Sequence, residues 1–186
     1  MVRVVLGVNN LQGSWSLSRQ LSNIIVHPLY TGPPNQVNDI ALLKLRQNIG
    51  INSRISPICL PNMTMTRFSN LYATGWGSAS EQGSGTQNLM VVGLQERDSY
   101  CHRLYNAAVF NSKHICANAN GGDVCNGDSG GPLITYANGA AYSVGLVSWG
   151  IICGAYKYPS VFTRVTSFRD WIVSNSNLDA NWCRYP

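Results

Sequence analysis

Short apolar runs recur along the whole chain: Val2–Leu6, Asn23–Val26, Ile40–Leu45, Leu71–Thr74, Met90–Leu94, Leu133–Tyr136, Tyr142–Ser148 and Val161–Arg164. Each has the length of a strand rather than of a helix, and each is bounded by Gly, Pro, Asn or Ser. Strands punctuated this way must bury one face against other strands, which limits the fold class to an all-β barrel or sandwich. Eighteen Gly and eight Pro push in the same direction. One helix is predicted near the C-terminus, where Phe168, Trp171, Ile172 and Asn175 follow the helical period and Ser167 with Asp170 makes a capping box. Its aromatic face should dock on the sheet. Between residues 46 and 63 the pattern loosens around Gln47–Ser53 and reads as a connection between two halves.

Charge and cysteine usage narrow the function classes. A length of 186 residues allows one domain or two small ones. Charged residues make up only 11%, less than half of the roughly 25% usual for soluble domains, which excludes a disordered tail or a coiled coil. The net charge is +5, but the basic residues stand singly from Arg3 to Arg184, so no nucleic-acid partner is expected. No apolar run reaches the 18 residues of a membrane span. Six cysteines (Cys59, Cys101, Cys116, Cys125, Cys153, Cys183), none in a CxxC pair, read as disulfides in an oxidising, extracellular compartment. Asn62-Met63-Thr64 is a glycan acceptor sequence that agrees with secretion. Residues Met1–Gly7 are too short an apolar stretch for a signal peptide, so Met1 is not expected to be the natural start of the full-length product.

The strongest chemical signal is Asp123-Val124-Cys125-Asn126-Gly127-Asp128-Ser129-Gly130-Gly131-Pro132. A serine hydroxyl is a weak nucleophile; it needs a base and a sharp turn on which backbone N–H groups converge on the developing oxyanion. Gly127 lets its own N–H and that of Ser129 point the same way, and Gly130 and Gly131 let a substrate backbone approach. A Gly-rich surface turn would account for a bare Gly-x-Ser-x-Gly, but the unbroken Gly-Asp-Ser-Gly-Gly-Pro string is far more specific.

This string resembles that of the chymotrypsin/trypsin family of serine proteases, and the resemblance spans nearly the whole chain. Asn38-Asp39-Ile40-Ala41-Leu42-Leu43-Lys44-Leu45 is similar to the family's segment carrying the triad aspartate, and Pro57-Ile58-Cys59-Leu60-Pro61 to the link between its barrels. Ala73-Thr74-Gly75-Trp76-Gly77 resembles the start of the second barrel, and Ser148-Trp149-Gly150 the strand that pairs with substrate. Pro159-Ser160-Val161-Phe162-Thr163-Arg164-Val165 and the helix around Trp171 complete the match. The resemblance implies a double six-stranded β-barrel with an incomplete N-terminal barrel: residues 1–45 as its remainder, 46–63 as linker, and 64–186 as second barrel plus C-terminal helix.

It also implies roles. Ser129 would be the nucleophile, Asp39 the carboxylate that orients an imidazole, and Gly127 with Ser129 the oxyanion donors. Asp123, six residues before Ser129, would select Lys or Arg at the base of a pocket to which Val124, Ser148, Trp149, Gly150 and Ser160 contribute. Ser160, where such a pocket usually has glycine, would narrow it. Asp128 would pair with the α-amino group made by zymogen cleavage. The expected disulfides are Cys101–Cys116, Cys125–Cys153 and Cys59–Cys183, while Leu71 and Thr135 replace a further cystine. Pro159 is unlike members that bind sodium here, so neither metal nor cofactor is expected. The partners implied are protein or peptide substrates and protein inhibitors.

The triad histidine is what the sequence lacks. In the chymotrypsin order it precedes the aspartate by about 45 residues, which falls before Met1. His27, His102 and His114 all read as structural or solvated. The expected function is therefore a trypsin-like serine endopeptidase that is inactive in this form. The alternative is a non-catalytic homologue acting as a binding module.

Overall fold

The computed structural model describes residues 2–13, 17–33 and 35–176. Strands β1 (Arg3–Leu6), β2 (Leu17–Val26) and β3 (Ala41–Leu45) form an antiparallel sheet in that order, with Val4 opposite Arg19 and Ile25 opposite Leu42. Six further strands, β4 (Leu71–Gly75), β5 (Met90–Glu96), β6 (His114–Asn118), β7 (Pro132–Ala137), β8 (Ala140–Trp149) and β9 (Ser160–Arg164), close into a barrel ordered β4-β5-β6-β9-β8-β7. β7 pairs back onto β4 at Tyr72–Ile134, which removes the sheet edge. The all-β expectation, with one closed six-stranded barrel, a second sheet and a short C-terminal helix, matches this architecture.

Period-2 alternation sends Leu71, Ala73, Leu94, Ile115, Ala117, Leu133, Val144 and Phe162 into the barrel core. The opposite face of β6 and β9 is covered as well. There Cys101, Phe110, Cys116 and Val161 form a second cluster beneath helix α1 (Asp98–Leu104). Neither α1 nor β6 was expected from the sequence. Seven residues give too short a helical period to detect, and all five residues of β6 are buried, so the polar alternation that marks a half-exposed strand is missing. β2 also begins earlier than the apolar run Asn23–Val26 suggested, because the polar stretch before it pairs with β1.

The disulfides Cys101–Cys116 and Cys125–Cys153 are both formed, with Cα–Cα separations of 6.4 and 5.2 Å. Cys183 lies outside the described residues, and the Cys59–Cys183 pairing with it. Register carries Leu71 opposite Thr135, one step beyond the Tyr72–Ile134 pair. Both are buried, and the Thr135 hydroxyl donates to the Asn70 carbonyl at 2.8 Å, so the place of a cystine is taken by packing and a hydrogen bond.

The C-terminal segment corrects one detail of the sequence reading. It enters through a 3-10 turn, Val165–Phe168, before α2 (Arg169–Ser176), and the Ser167 hydroxyl donates to the Ser112 carbonyl at 3.0 Å instead of forming a capping box. Phe168 and Ile172 nevertheless bury against Ile40 and Val165, fastening the helix to the residue that precedes β3.

The three-stranded sheet is less well covered than the barrel. Val5, Ile24, Val26 and Leu43 are each about half exposed, and among the described residues β1 and β3 each pair with one neighbour only. Local opening free energy follows buried contacts. Amide exchange is therefore expected to be slower in Leu133–Tyr136 and Tyr142–Ser148 than in Val4–Leu6; equal protection would contradict the asymmetry.

Acid sensitivity should come in part from His114. Its ring is 2% exposed, stacks on Phe110, and accepts the Asn111 N–H at Nδ1. Burial, with Arg164 and Lys113 adding to it, pushes its pKa down to about 4. The unfolded chain takes up this proton near pH 6.5 and the folded chain does not, so stability is lost as pH falls from 6.5 toward 4. The full loss is about 3 kcal/mol. Urea titrations at both pH values, compared with His114→Gln, should show a smaller drop in the variant.

Candidate active site

The loop between β6 and β7 presents Ser129 to solvent between two turns. Gly127 has φ +96°, a conformation that side chains disfavour, and this turns the backbone so that Asp128 N–H bonds back to the Cys125 carbonyl. Gly130 N–H reaches the Val147 carbonyl, and Gly131 N–H the Asp128 carbonyl. Among the described residues the N–H groups of Gly127 and Ser129 donate to nothing. These are the two groups that the oxyanion assignment requires to be available.

Ser129 opens onto a cleft of about 240 Å³ whose lining includes Val124, Ser148, Trp149, Gly150 and Ser160. Five of the sequence-predicted pocket residues are thus brought together with the serine. The Cys125–Cys153 bridge ties the two walls, and the exposed Ile151 and Ile152 form an apolar lip.

Asp39 reaches the same region from the other β-system. Its Oδ2 accepts the Ser148 hydroxyl at 2.7 Å, and its carbonyl accepts the Thr163 hydroxyl at 2.8 Å. Ser148 belongs to β8, the strand that also walls the Ser129 cleft, so one strand holds the Asp39 carboxylate in register with that cleft. Two residues that sequence reasoning missed hold the turn before Asp39. Buried Asn38 has φ +57° and donates from Nδ2 to the Leu29 carbonyl at 2.7 Å, while its Oδ1 accepts from Lys113 Nζ at 2.7 Å. Asn tolerates this left-handed backbone better than most residues, which was a legible signal; nothing in the sequence pointed to Lys113.

The Asp123 carboxylate approaches the Ser160 hydroxyl, and Ser160 lines the Ser129 cleft. Asp123 faces a smaller neighbouring cavity of about 140 Å³ together with Asp128 and Gly77. Its Oδ1 accepts the Val124 N–H at 2.8 Å, and its buried Oδ2 is approached by polar groups without a closed hydrogen bond among the described residues. Burial pushes this carboxyl up from the usual range, with the Ser160 hydroxyl and the Val124 and Gly154 amides pulling the other way.

The Asp128 carboxylate is held by backbone amides: Gly77 N–H to Oδ1 at 2.8 Å and Cys125 N–H to Oδ2 at 3.0 Å. A Cβ on Gly77 would lie 2.5 Å from the Asp128 carboxyl carbon, so this close approach requires glycine.

None of the histidines is hydrogen-bonded to Ser129. His27 packs against Phe168 and Trp171 and accepts the Leu29 N–H at Nδ1; burial and Lys113 lower its pKa. His102 packs edge-on against Phe110, and His114 is in the core. Among the described residues no cluster of His, Cys, Asp or Glu is arranged to hold a metal ion, and no helix is long and apolar enough to cross a membrane.

Comparison with known proteins agrees with this geometry. The Trypsin family model matches residues 1–172. Trypsin-1 of Astacus astacus is 40% identical over 142 residues, covering 75% of this chain and 60% of that protein. Transmembrane protease serine 11G of Mus musculus is 36% identical over 169 residues, 87% of this chain and 40% of its own length. Venom serine protease Bi-VSP of Bombus ignitus is 36% identical over 176 residues, 88% of this chain and 48% of its own. The chain thus spans about half the length of the curated relatives it matches. With a Ser129 loop, an Asp39 anchored on the cleft strand and both described cystines as the sequence implied, the chain belongs to the trypsin family of serine proteases.

Proposed function

We propose that this chain carries most of the site of an extracellular serine endopeptidase that cleaves after Lys or Arg, and that it awaits a histidine to become active. The observation that carries this reading is the Ser148 bridge, which fastens Asp39 to the wall of the Ser129 cleft. A domain that only binds partners has no use for an exposed serine on a glycine-built turn beside two N–H groups that are unpaired among the described residues.

In the reaction Ser129 Oγ attacks the scissile carbonyl while an imidazole takes its proton. Asp39 orients that imidazole and stabilises its charge, and the Gly127 and Ser129 N–H groups receive the oxyanion. The imidazole then protonates the leaving amine, and water releases the acyl group from Ser129 by the same steps. The cation of the substrate would enter past Trp149 and Gly150 toward Ser160 and the largely buried Asp123 carboxylate beside it, which supplies the counter-charge. Residues 46–63 serve in this reading as the linker between barrels.

The test is a version completed with a segment bearing a Thr-Ala-Ala-His-Cys-like sequence and an Ile-Val-Gly-Gly-type amino terminus. Turnover of arginyl or lysyl amides, abolished by Ser129→Ala, supports the proposal. A preference for small apolar residues would mean that Ser160 closes the pocket. A binding role would prevail if the completed version folds and hydrolyses nothing.

A further inference from the structure

Outside the catalytic region, the turn Asn62–Met63–Thr64 follows the inter-sheet segment and precedes β4. We infer that Asn62 is a site of covalent modification, the acceptor of an N-linked oligosaccharide. No other asparagine in the chain is followed at the second position by Ser or Thr, and the middle residue here is Met rather than the excluding Pro.

The local geometry suits the chemistry. Thr64 donates twice to Asn62 Oδ1, from its hydroxyl at 2.5 Å and from its N–H at 2.9 Å. Two donors on the carbonyl oxygen draw electron density out of the amide and make Nδ2 easier to deprotonate. That nitrogen itself donates to nothing among the described residues, so its substitution breaks no contact of the fold. The turn is closed by Met65 N–H on the Asn62 carbonyl at 3.2 Å and is anchored by buried Pro61 below it. Thr64 is exposed and Met63 is 59% exposed, which leaves open space for a sugar on the outer side.

The donor class is a lipid-diphosphate-linked oligosaccharide used by a membrane-bound glycosyltransferase of the secretory pathway. Asn62 Nδ2 forms the bond to the anomeric carbon, the bond from that carbon to the diphosphate oxygen breaks, and the electron pair leaves with the lipid diphosphate. One amide proton passes to a base of the transferase. The inference rests on the secretory reading of the cystines and not on the protease assignment.

The full chain, led into the secretory pathway of an animal cell line by a cleavable leader and carrying a second acceptor sequence in a C-terminal tag, supplies the test. The tag reports translocation whether or not the chain is released from the cell. The expected result is two glycans removable by a peptide N-glycosidase, with Asn62 converted to Asp in the released peptide. Asn62→Gln and Thr64→Ala should each lose one of the two, and Thr64→Ser should keep it. A tag that is glycosylated beside an unmodified Asn62 would overturn the inference, as would modification that persists in Thr64→Ala.

Discussion

Incubated alone with a fluorogenic peptidyl-arginyl amide, the 186-residue chain is expected to turn over no faster than its own Ser129→Ala variant. Ser129 is exposed and the N–H groups of Gly127 and Ser129 are unpaired among the described residues, but no histidine is hydrogen-bonded to Ser129. His27 is packed between Phe168 and Trp171, His102 lies on Phe110 and His114 is buried. In an unrelated serine protease, loss of the triad histidine alone costs about 2 × 10⁶ in kcat. At 1.36 kcal/mol per tenfold that is roughly 8–9 kcal/mol of barrier. What survives is the contribution of the oxyanion donors and of binding, about 10³–10⁴ over water, which is below the detection of such an assay. Turnover that Ser129→Ala abolishes would show that another base has been recruited, and His27→Gln and His102→Gln would identify it.

Once a histidine is supplied, Asp123→Ser is expected to have the next largest effect. A guanidinium or ammonium leaving water for the pocket needs a buried counter-charge, and the largely buried Asp123 carboxylate beside Ser160 supplies one. Removing one partner of such a pair costs on the order of 2–5 kcal/mol. The kcat/KM for arginyl substrates should therefore fall by about 30-fold to several thousand-fold. Substrates with small apolar side chains should lose much less. Equal losses on both classes would place the effect in the fold of the loop, and an unchanged arginyl rate would remove Asp123 from specificity. Ser160→Gly in the same background should widen the cleft and raise activity on the longer side chains.

How much could be read in advance depended on whether a residue's constraint was local. The barrel strands were legible because Leu71 and Ala73, or Leu133 and its neighbours, alternate between core and solvent, and the Ser129 loop because its glycines are demanded by its own backbone. β6 and α1 were not. Both are defined by what packs over them, and five consecutive buried residues from His114 to Asn118 carry no period. The same holds for the site. Ser129, Asp39 and the cleft residues stood in recognisable strings, whereas Lys113 bonds to Asn38 across 75 positions of sequence, and Ser148 reaches Asp39 across 109. Asp123 shows the limit from the other side: its spacing from Ser129 suggested a pocket floor, and only coordinates reveal that its carboxylate approaches Ser160 of the cleft wall while facing a neighbouring cavity. The capping box at Ser167 failed for a related reason, since a distant carbonyl, that of Ser112, took the hydroxyl.

The most direct measurement of the central claim is mass-spectrometric labelling of Ser129 with a peptidyl-arginyl phosphonate ester, carried out side by side on the chain alone and on the histidine-completed version. Ser129 is expected to be labelled stoichiometrically in the completed protein and not in the chain alone, with labelling lost in Asp39→Asn. A completed protein that is folded, with both described cystines formed, yet leaves Ser129 unlabelled would contradict the assignment of this site as a protease centre.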